Sequence, residues 1–248
     1  MTDIEKLGEM IRNHHRIVFF GGAGVSTESD IPDFRGANGL YRQKTDLPWT
    51  PEEMLSHHFF VEHPVEFFTN YAAFTEAMLK ARPNRAHYVL ADWEREGKLS
   101  AVVTQNIDGL HQRAGSRNVM ELHGSVLRNF CTGCGKSFTV GKFLSLCHPV
   151  PRCPVCGGII KPDVVLYEEP LDMDTMQDAM EAIQEADMLI IGGTSLVVYP
   201  AAGFVDYFTG DSLVMINRDE TAKDSSCDLV FHDSIGKVLD EAAKIAEA

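Results

Sequence analysis

Six short runs of the chain are apolar through their middles without alternation: RIVFF at 16–20, SAVVTQ at 100–105, NVMEL at 118–122, DMLIIGG at 187–193, SLVMIN at 212–217 and DLVF at 228–231. A strand with one wet face alternates polar and apolar residues, so strands apolar throughout must be covered on both faces, as in a parallel sheet. The segments between them supply the covers. NRAHYVLADWEREGK at 84–98 and MDTMQDAMEAIQEA at 173–186 place apolar residues three and four apart, a helical stripe. The expected fold is α/β, a Rossmann-like doubly wound parallel sheet.

Two segments interrupt the alternation. Residues 36–80 hold several aromatics with Pro48, Pro51 and Pro64 and no clear strand, and read as a small helical insertion or lid. Residues 125–162 are poor in apolar residues and carry two CxxC pairs, Cys131/Cys134 and Cys153/Cys156, 18 residues apart. That spacing fits a zinc ribbon, in which a metal stands in for a core. Each pair is followed by a glycine, Gly135 or Gly157, that lets backbone N–H groups turn toward sulfur. Four protein ligands leave no open position, so the site is expected to be structural. Cys147 and His148, between the pairs, are the less suitable competing ligands, and Cys227 reads as a small buried residue of the last strand. The sheet domain is then composed of residues 1–35, 81–124 and 163–248.

With 22 Lys and Arg against 36 Asp and Glu, the formal charge is −14, which argues against nucleic-acid binding and against adhesion to anionic lipid. A lysine-rich peptide is not repelled. Residues 1–20 show no basic segment ahead of an apolar core, and no apolar run approaches the roughly 20 residues of a membrane span. Paired cysteines without an export signal point to metal rather than disulfides, and a cytoplasmic, reducing location is expected.

The first apolar run passes directly into GGAGVSTESDIPDFRG. Gly22 and Gly24 after a strand place backbone N–H groups where a dinucleotide pyrophosphate binds at a helix start. Thr27 replaces the third glycine of the fingerprint and no acidic residue ends a second strand, so the glycines alone also fit a turn without a ligand. The continuation favours a loop over a ligand, with Arg35 suited to a phosphate and Phe34 to a flat ring or to the core. The second run ends in Thr104, Gln105, Asn106 and Asp108, polar groups at the carboxyl edge of the sheet where such folds bind ligands; turn-forming caps are the alternative. The third delivers His123 to the same edge, the best placed general base of the ten histidines. His111 is close enough in sequence to Asp108 to be its hydrogen-bond partner.

In this order, the blocks GAGVSTESDIPDFRG, TQNIDGLH, ELHG, the CxxC pairs, KPDVVLYEE, GGTSLVVYPA and MINRD resemble the sirtuin family of NAD-dependent protein deacylases, bacterial members above all. The resemblance implies NAD bound between the Rossmann domain and a smaller zinc-bearing domain. The matching cofactor positions are Ala23, Thr27, Phe34, Arg35, Gln105, Ile107, Asp108, His123, Thr194, Ser195, Asn217 and Ile235. His123 and Asn106 match the catalytic positions, and Cys131, Cys134, Cys153 and Cys156 the structural zinc ligands. An acetyl-lysine peptide would enter as an added strand between residues 164–168 and 197–199. The implied products are free lysine, nicotinamide and O-acetyl-ADP-ribose.

Three departures stand out. Gly21 occupies a common threonine position. Leu166, Tyr167 and Glu168 stand where many relatives have two aromatics and a glycine, which bears on peptide preference. The helical insertion, EFFTNYAAF, lacks the arginine of succinyl- and malonyl-preferring relatives, which favours an uncharged acyl group. Mono-ADP-ribosyl transfer and a non-catalytic NAD or ADP-ribose module are the alternative readings.

Overall fold

The computed structural model describes residues 1–34, 36, 39 and 48–247. Nine strands follow one another among them: β1 (Ile17–Gly21), β2 (Leu99–Thr104), β3 (Val119–Glu121), β4 (Gly124–Cys131), β5 (Ser137–Thr139), β6 (Ile160–Val164), β7 (Met188–Gly192), β8 (Ser212–Ile216) and β9 (Leu229–Phe231). The helices are α1 (Asp3–Asn13), α2 (Pro51–Met54), α3 (His57–Glu62), α4 (Pro64–Lys80), α5 (Arg85–Arg95), α6 (Leu110–Ala114), α7 (Val140–Leu146), α8 (Met173–Glu185) and α9 (Ile235–Glu247). No helix among the described residues is long and apolar enough to cross a membrane.

The six apolar runs form one sheet in the order β3-β2-β1-β7-β8-β9, with every neighbouring pair parallel. Every residue of β1 and β7 is buried. Successive side chains point to opposite faces, so Ile17 and Phe19 join a layer built with α1, α5 and α9, while Val18 and Phe20 join one built with α8 and the 3₁₀ turn Ala201–Tyr207. This is the doubly wound arrangement expected. The strand order reverses between β1 and β7, which opens a crevice at their carboxyl ends. The segment after β1 is a 3₁₀ turn, Ala23–Ser29, where a regular helix start was expected; Asp30 closes it at φ 61°.

A second, antiparallel sheet, β5-β4-β6, carries the CxxC pairs. It does not rely on metal alone for a core. Phe143 and Ile160 are fully buried in a cluster with Phe59, Phe60, Phe67 and Phe68 of α3 and α4, and the Phe68 and Phe143 rings lie 6.0 Å apart. The helical segment and the cysteine-bearing segment thus share one aromatic core, because neither buries enough apolar surface by itself.

Two expectations need correction. His111 does not bond Asp108: it is buried between His87 and Phe19, ring centroids 4.7 and 6.2 Å away, with neither ring nitrogen hydrogen-bonded. Asp108 instead spends its oxygens on the Ser26 hydroxyl and on the Leu110 N–H that opens α6. Cys227 precedes β9 rather than lying in it, and burial pushes its thiol up to about 11.

Candidate active site and metal centre

The crevice is a cavity of about 780 Å³ between the two sheets. Ala23, Thr27, Phe34, Gln105, Asn106, Ile107, Asp108, His123, Thr194, Ser195, Asn217 and Ile235 all line it; Arg35 falls outside the described residues. The cavity gathers them because all six strands of the parallel sheet, β1, β2, β3, β7, β8 and β9, end there and the segments that follow face one another.

At its floor the glycines do a different task from the one expected. Gly22 N–H donates to the Gly192 carbonyl at 3.1 Å and Gly24 N–H to that of Gly193 at 2.8 Å. These two N–H groups are therefore spent on the protein. What the glycines permit is contact between the β1 and β7 loops: a Cβ on Gly24 would sit 2.7 Å from the Gly193 Cα.

A buried polar chain runs from Asn106 to Asp108. Asn106 Nδ2 donates to Ser26 Oγ at 3.1 Å, and Ser26 donates onward to Asp108 Oδ2 at 2.7 Å. Asp108 Oδ1 accepts the Leu110 N–H at 2.8 Å, and burial raises the carboxyl above its ordinary range. Ser26 is a site residue that the sequence reading missed; the one available signal was a hydroxyl in the turn that follows Gly24. Gln105 Nε2 reaches Thr194 Oγ1 at 3.1 Å and ties the ends of β2 and β7 together.

His123 follows β3. Its Nδ1 lies 2.9 Å from the Gln105 carbonyl, which can only accept, so Nδ1 carries the proton and Nε2 keeps its lone pair. Burial, opposed by that hydrogen bond, lowers its pKa below the ordinary histidine value, so the ring is neutral at pH 7. The far wall comes from the second lobe, with Tyr71, Phe74 and Met78 of α4 and residues 164–169 from the last residue of β6 onward. Glu169 pins that segment by accepting from the Leu166 N–H and the Lys161 ammonium, both at 2.9 Å, and by meeting the His57 ring at 2.8 Å. Val165 N–H donates to the carbonyl of His123 itself at 3.0 Å.

The sulfurs of Cys131, Cys134, Cys153 and Cys156 all lie within 4.8 Å of one another, with Cys131–Cys156 at 3.3 Å and Cys134–Cys153 at 3.8 Å. Zinc–sulfur bonds of about 2.3 Å at tetrahedral angles put sulfurs roughly 3.8 Å apart, so the donor set fits zinc. Gly135 and Gly157 adopt φ of 69° and 76°, and the Gly133 N–H points at Cys131 Sγ at 3.3 Å. Cys147 is engaged with the Phe68 and Pro149 carbonyls and takes no part. Cys131 ends β4, which starts beside His123; the seven-residue rise separates the metal centre from the cavity by up to about 23 Å.

Residues 22–200 match the model of the Sir2 family. An NAD-dependent protein deacetylase of Clostridium perfringens is 60% identical over 237 residues, 95% of this chain and 96% of the relative. One of Clostridium acetobutylicum is 57% identical over 242 residues, 97% and 98% of the two chains. Among solved structures, a Sir2–p53 peptide–NAD⁺ complex superposes with a TM-score of 0.87 at 35% identity, covering 98% of each chain. A Sir2 homologue–NAD complex gives 0.88 at 39%, covering 98% of this chain and 93% of that one. The chain belongs to the Sir2 family.

Proposed function

We propose that the protein is an NAD-dependent protein-lysine deacetylase, which moves the acetyl group of an acetyl-lysine onto the ADP-ribose part of NAD with release of nicotinamide. The observation that carries this reading is His123, a neutral imidazole with Nδ1–H fixed on a carbonyl and Nε2 free to accept a proton at a cavity wall shared by both lobes. The names of the relatives and the peptide and NAD held by the structural neighbours support it.

The residues present suit the dinucleotide. The cavity volume lies within the roughly 300–1,000 Å³ of ligand sites, and amides and hydroxyls are spread along its length. NAD supplies, when bound, a ribose carbon from which nicotinamide is displaced. Ala23, Thr27, Arg35, Thr194, Ser195, Asn217 and Ile235 would hold its phosphate and adenosine parts. Gln105, Ile107 and Asp108 would bound the nicotinamide end, with Phe34 closing over it, and the Ser26 bridge orients Asn106 beside them. His123 takes the proton of a ribose hydroxyl at Nε2. Tyr71, Phe74 and Met78 give the acyl group an apolar wall without a cation, which suits acetyl over succinyl. The peptide lies between residues 164–168 and 197–199, and the four thiolates hold one structural zinc. That centre suits a reducing compartment, and a cytoplasmic location belongs to the same reading.

Purified protein with NAD and an acetyl-lysine peptide should release nicotinamide only when the peptide is present, with O-acetyl-ADP-ribose formed in equal amount. Release without peptide, with label appearing on protein, would replace the deacetylase with a mono-ADP-ribosyltransferase.

A further inference from the structure

Three described residues other than glycine have positive φ: Asp30 at 61°, Leu196 at 53° and Glu168 at 78°. Asp30 terminates the 3₁₀ turn, and Leu196 follows the Thr194 hydroxyl that accepts its N–H. Glu168 is the third residue of a turn closed by the Glu169 N–H on the Leu166 carbonyl at 3.0 Å, the turn position that favours glycine. It lies on the cavity wall, in the segment that the peptide would flank, at a backbone position where glycine is relaxed and a side chain is strained. Residues held in such conformations concentrate where the side chain has a task.

The buried anchor of this segment is the neighbouring Glu169. The Glu169 side chain is 17% exposed and its oxygens are taken by Leu166, Lys161 and His57. The Glu168 side chain is 50% exposed. Both oxygens of its carboxylate meet His58 alone, Oε2 accepting the His58 N–H at 3.0 Å and Oε1 lying against the ring at 2.8 Å, at the cavity mouth. Those hydrogen bonds lower its pKa, so the group stays ionised and aimed. The surrounding field has the same sign: the described lining carries eight carboxylates and one guanidinium, that of Arg218.

We infer that Glu168 reads a positively charged residue of the substrate, so that the preferred acetyl-lysines are those with an arginine or lysine close by in sequence. This rests on the cleft between residues 164–168 and 197–199 being the peptide site.

The test is a peptide series around one acetyl-lysine, with a single arginine, alanine or glutamate walked along either side, assayed for kcat/KM in low and high salt. At one position at least, arginine should exceed alanine by about two- to fivefold, the range of a half-exposed ion pair, with glutamate below alanine by a similar factor. The spread should narrow as salt rises. Glu168→Gly, which relieves the strain and so should fold, and Glu168→Gln, which keeps the shape, should both bring the arginine-to-glutamate ratio to near one. An unchanged ratio in either variant, or no preference in the parent, overturns the inference while deacetylation of the alanine peptide leaves the function standing. Failure to deacetylate any peptide overturns the function instead.

Discussion

Lowering the pH should weaken the fold through a pair of histidines that take no part in the cavity. His87 and His111 are buried against each other with their ring planes tilted by 58°, 0% and 1% exposed. The Asn84 N–H donates to His87 Nδ1 at 3.2 Å and closes the cap of α5, so the ring is neutral and Nε2–H has no partner. Burial lowers its pKa from 6.5 to about 4, and burial, then the facing His87, sends that of His111 well below 6.5. The unfolded chain takes up the His87 proton from pH 6.5 downward and the folded chain only near 4, so falling pH favours unfolding across this window. At about 1.4 kcal/mol per unit, the full cost is roughly 3 kcal/mol, and about 2 kcal/mol has been lost by pH 5. Urea unfolding at pH 7.5 and 5.0 should record this loss plus whatever the other groups add. His87→Gln keeps an acceptor at the cap position and cannot titrate. It should remove about 2 kcal/mol of the pH dependence, because the carboxylates and thiolates titrate alike in both proteins. An equal pH dependence in the variant would refute the assignment.

Three further outcomes follow from the site. His123→Ala should lower kcat by about 10²- to 10⁴-fold with zinc content and melting temperature retained, and the parent's acid limb in kcat/KM, which reports the free enzyme, should lie below pH 6.5, since its pKa is depressed; a limb above that value would remove His123 as the base. Gly193→Ala should destabilise by about 2 kcal/mol or more in thermal melts, because φ is 60° and the added Cβ meets Val25 N. Cys131→Ser should lower zinc from near one per chain and open residues 125–162 to protease, while a variant keeping full zinc and protection would exclude Cys131 as a ligand.

The parallel sheet was legible because burial on both faces leaves no polar position in its central strands β1 and β7: IVFF and LII permit little else. The second sheet was not, because β4 and β6 carry Arg128, Asn129, Lys161 and Pro162 among their apolar residues, and no local period betrays them. Its core depends on phenylalanines of α3 and α4, about 70 residues away in sequence, a pairing that periodicity does not encode. At the site, Asn106, Asp108 and His123 announced themselves as polar groups at the ends of apolar strands. Ser26 did not, since a serine inside a glycine loop looks like any turn residue until Asp108 is placed 2.7 Å from it.

None of the four cysteines lines the cavity, yet the cluster bears on the position of the base. Gly124, with φ 75° and a Cβ position already filled by the Asp163 backbone, joins His123 directly to β4. β4 pairs with β6 through Gly124 and Val164 at one end and Cys131 and Ile160 at the other. The same β6 continues into Val165, whose N–H holds the His123 carbonyl. His123 is thus held on one side by the parallel sheet, through Gln105, and on the other by a small sheet closed at its far end by four cysteines. Loosening that end releases one of the two supports of Nε2 while leaving the other, so metal loss should cost catalytic geometry before it costs the parallel sheet.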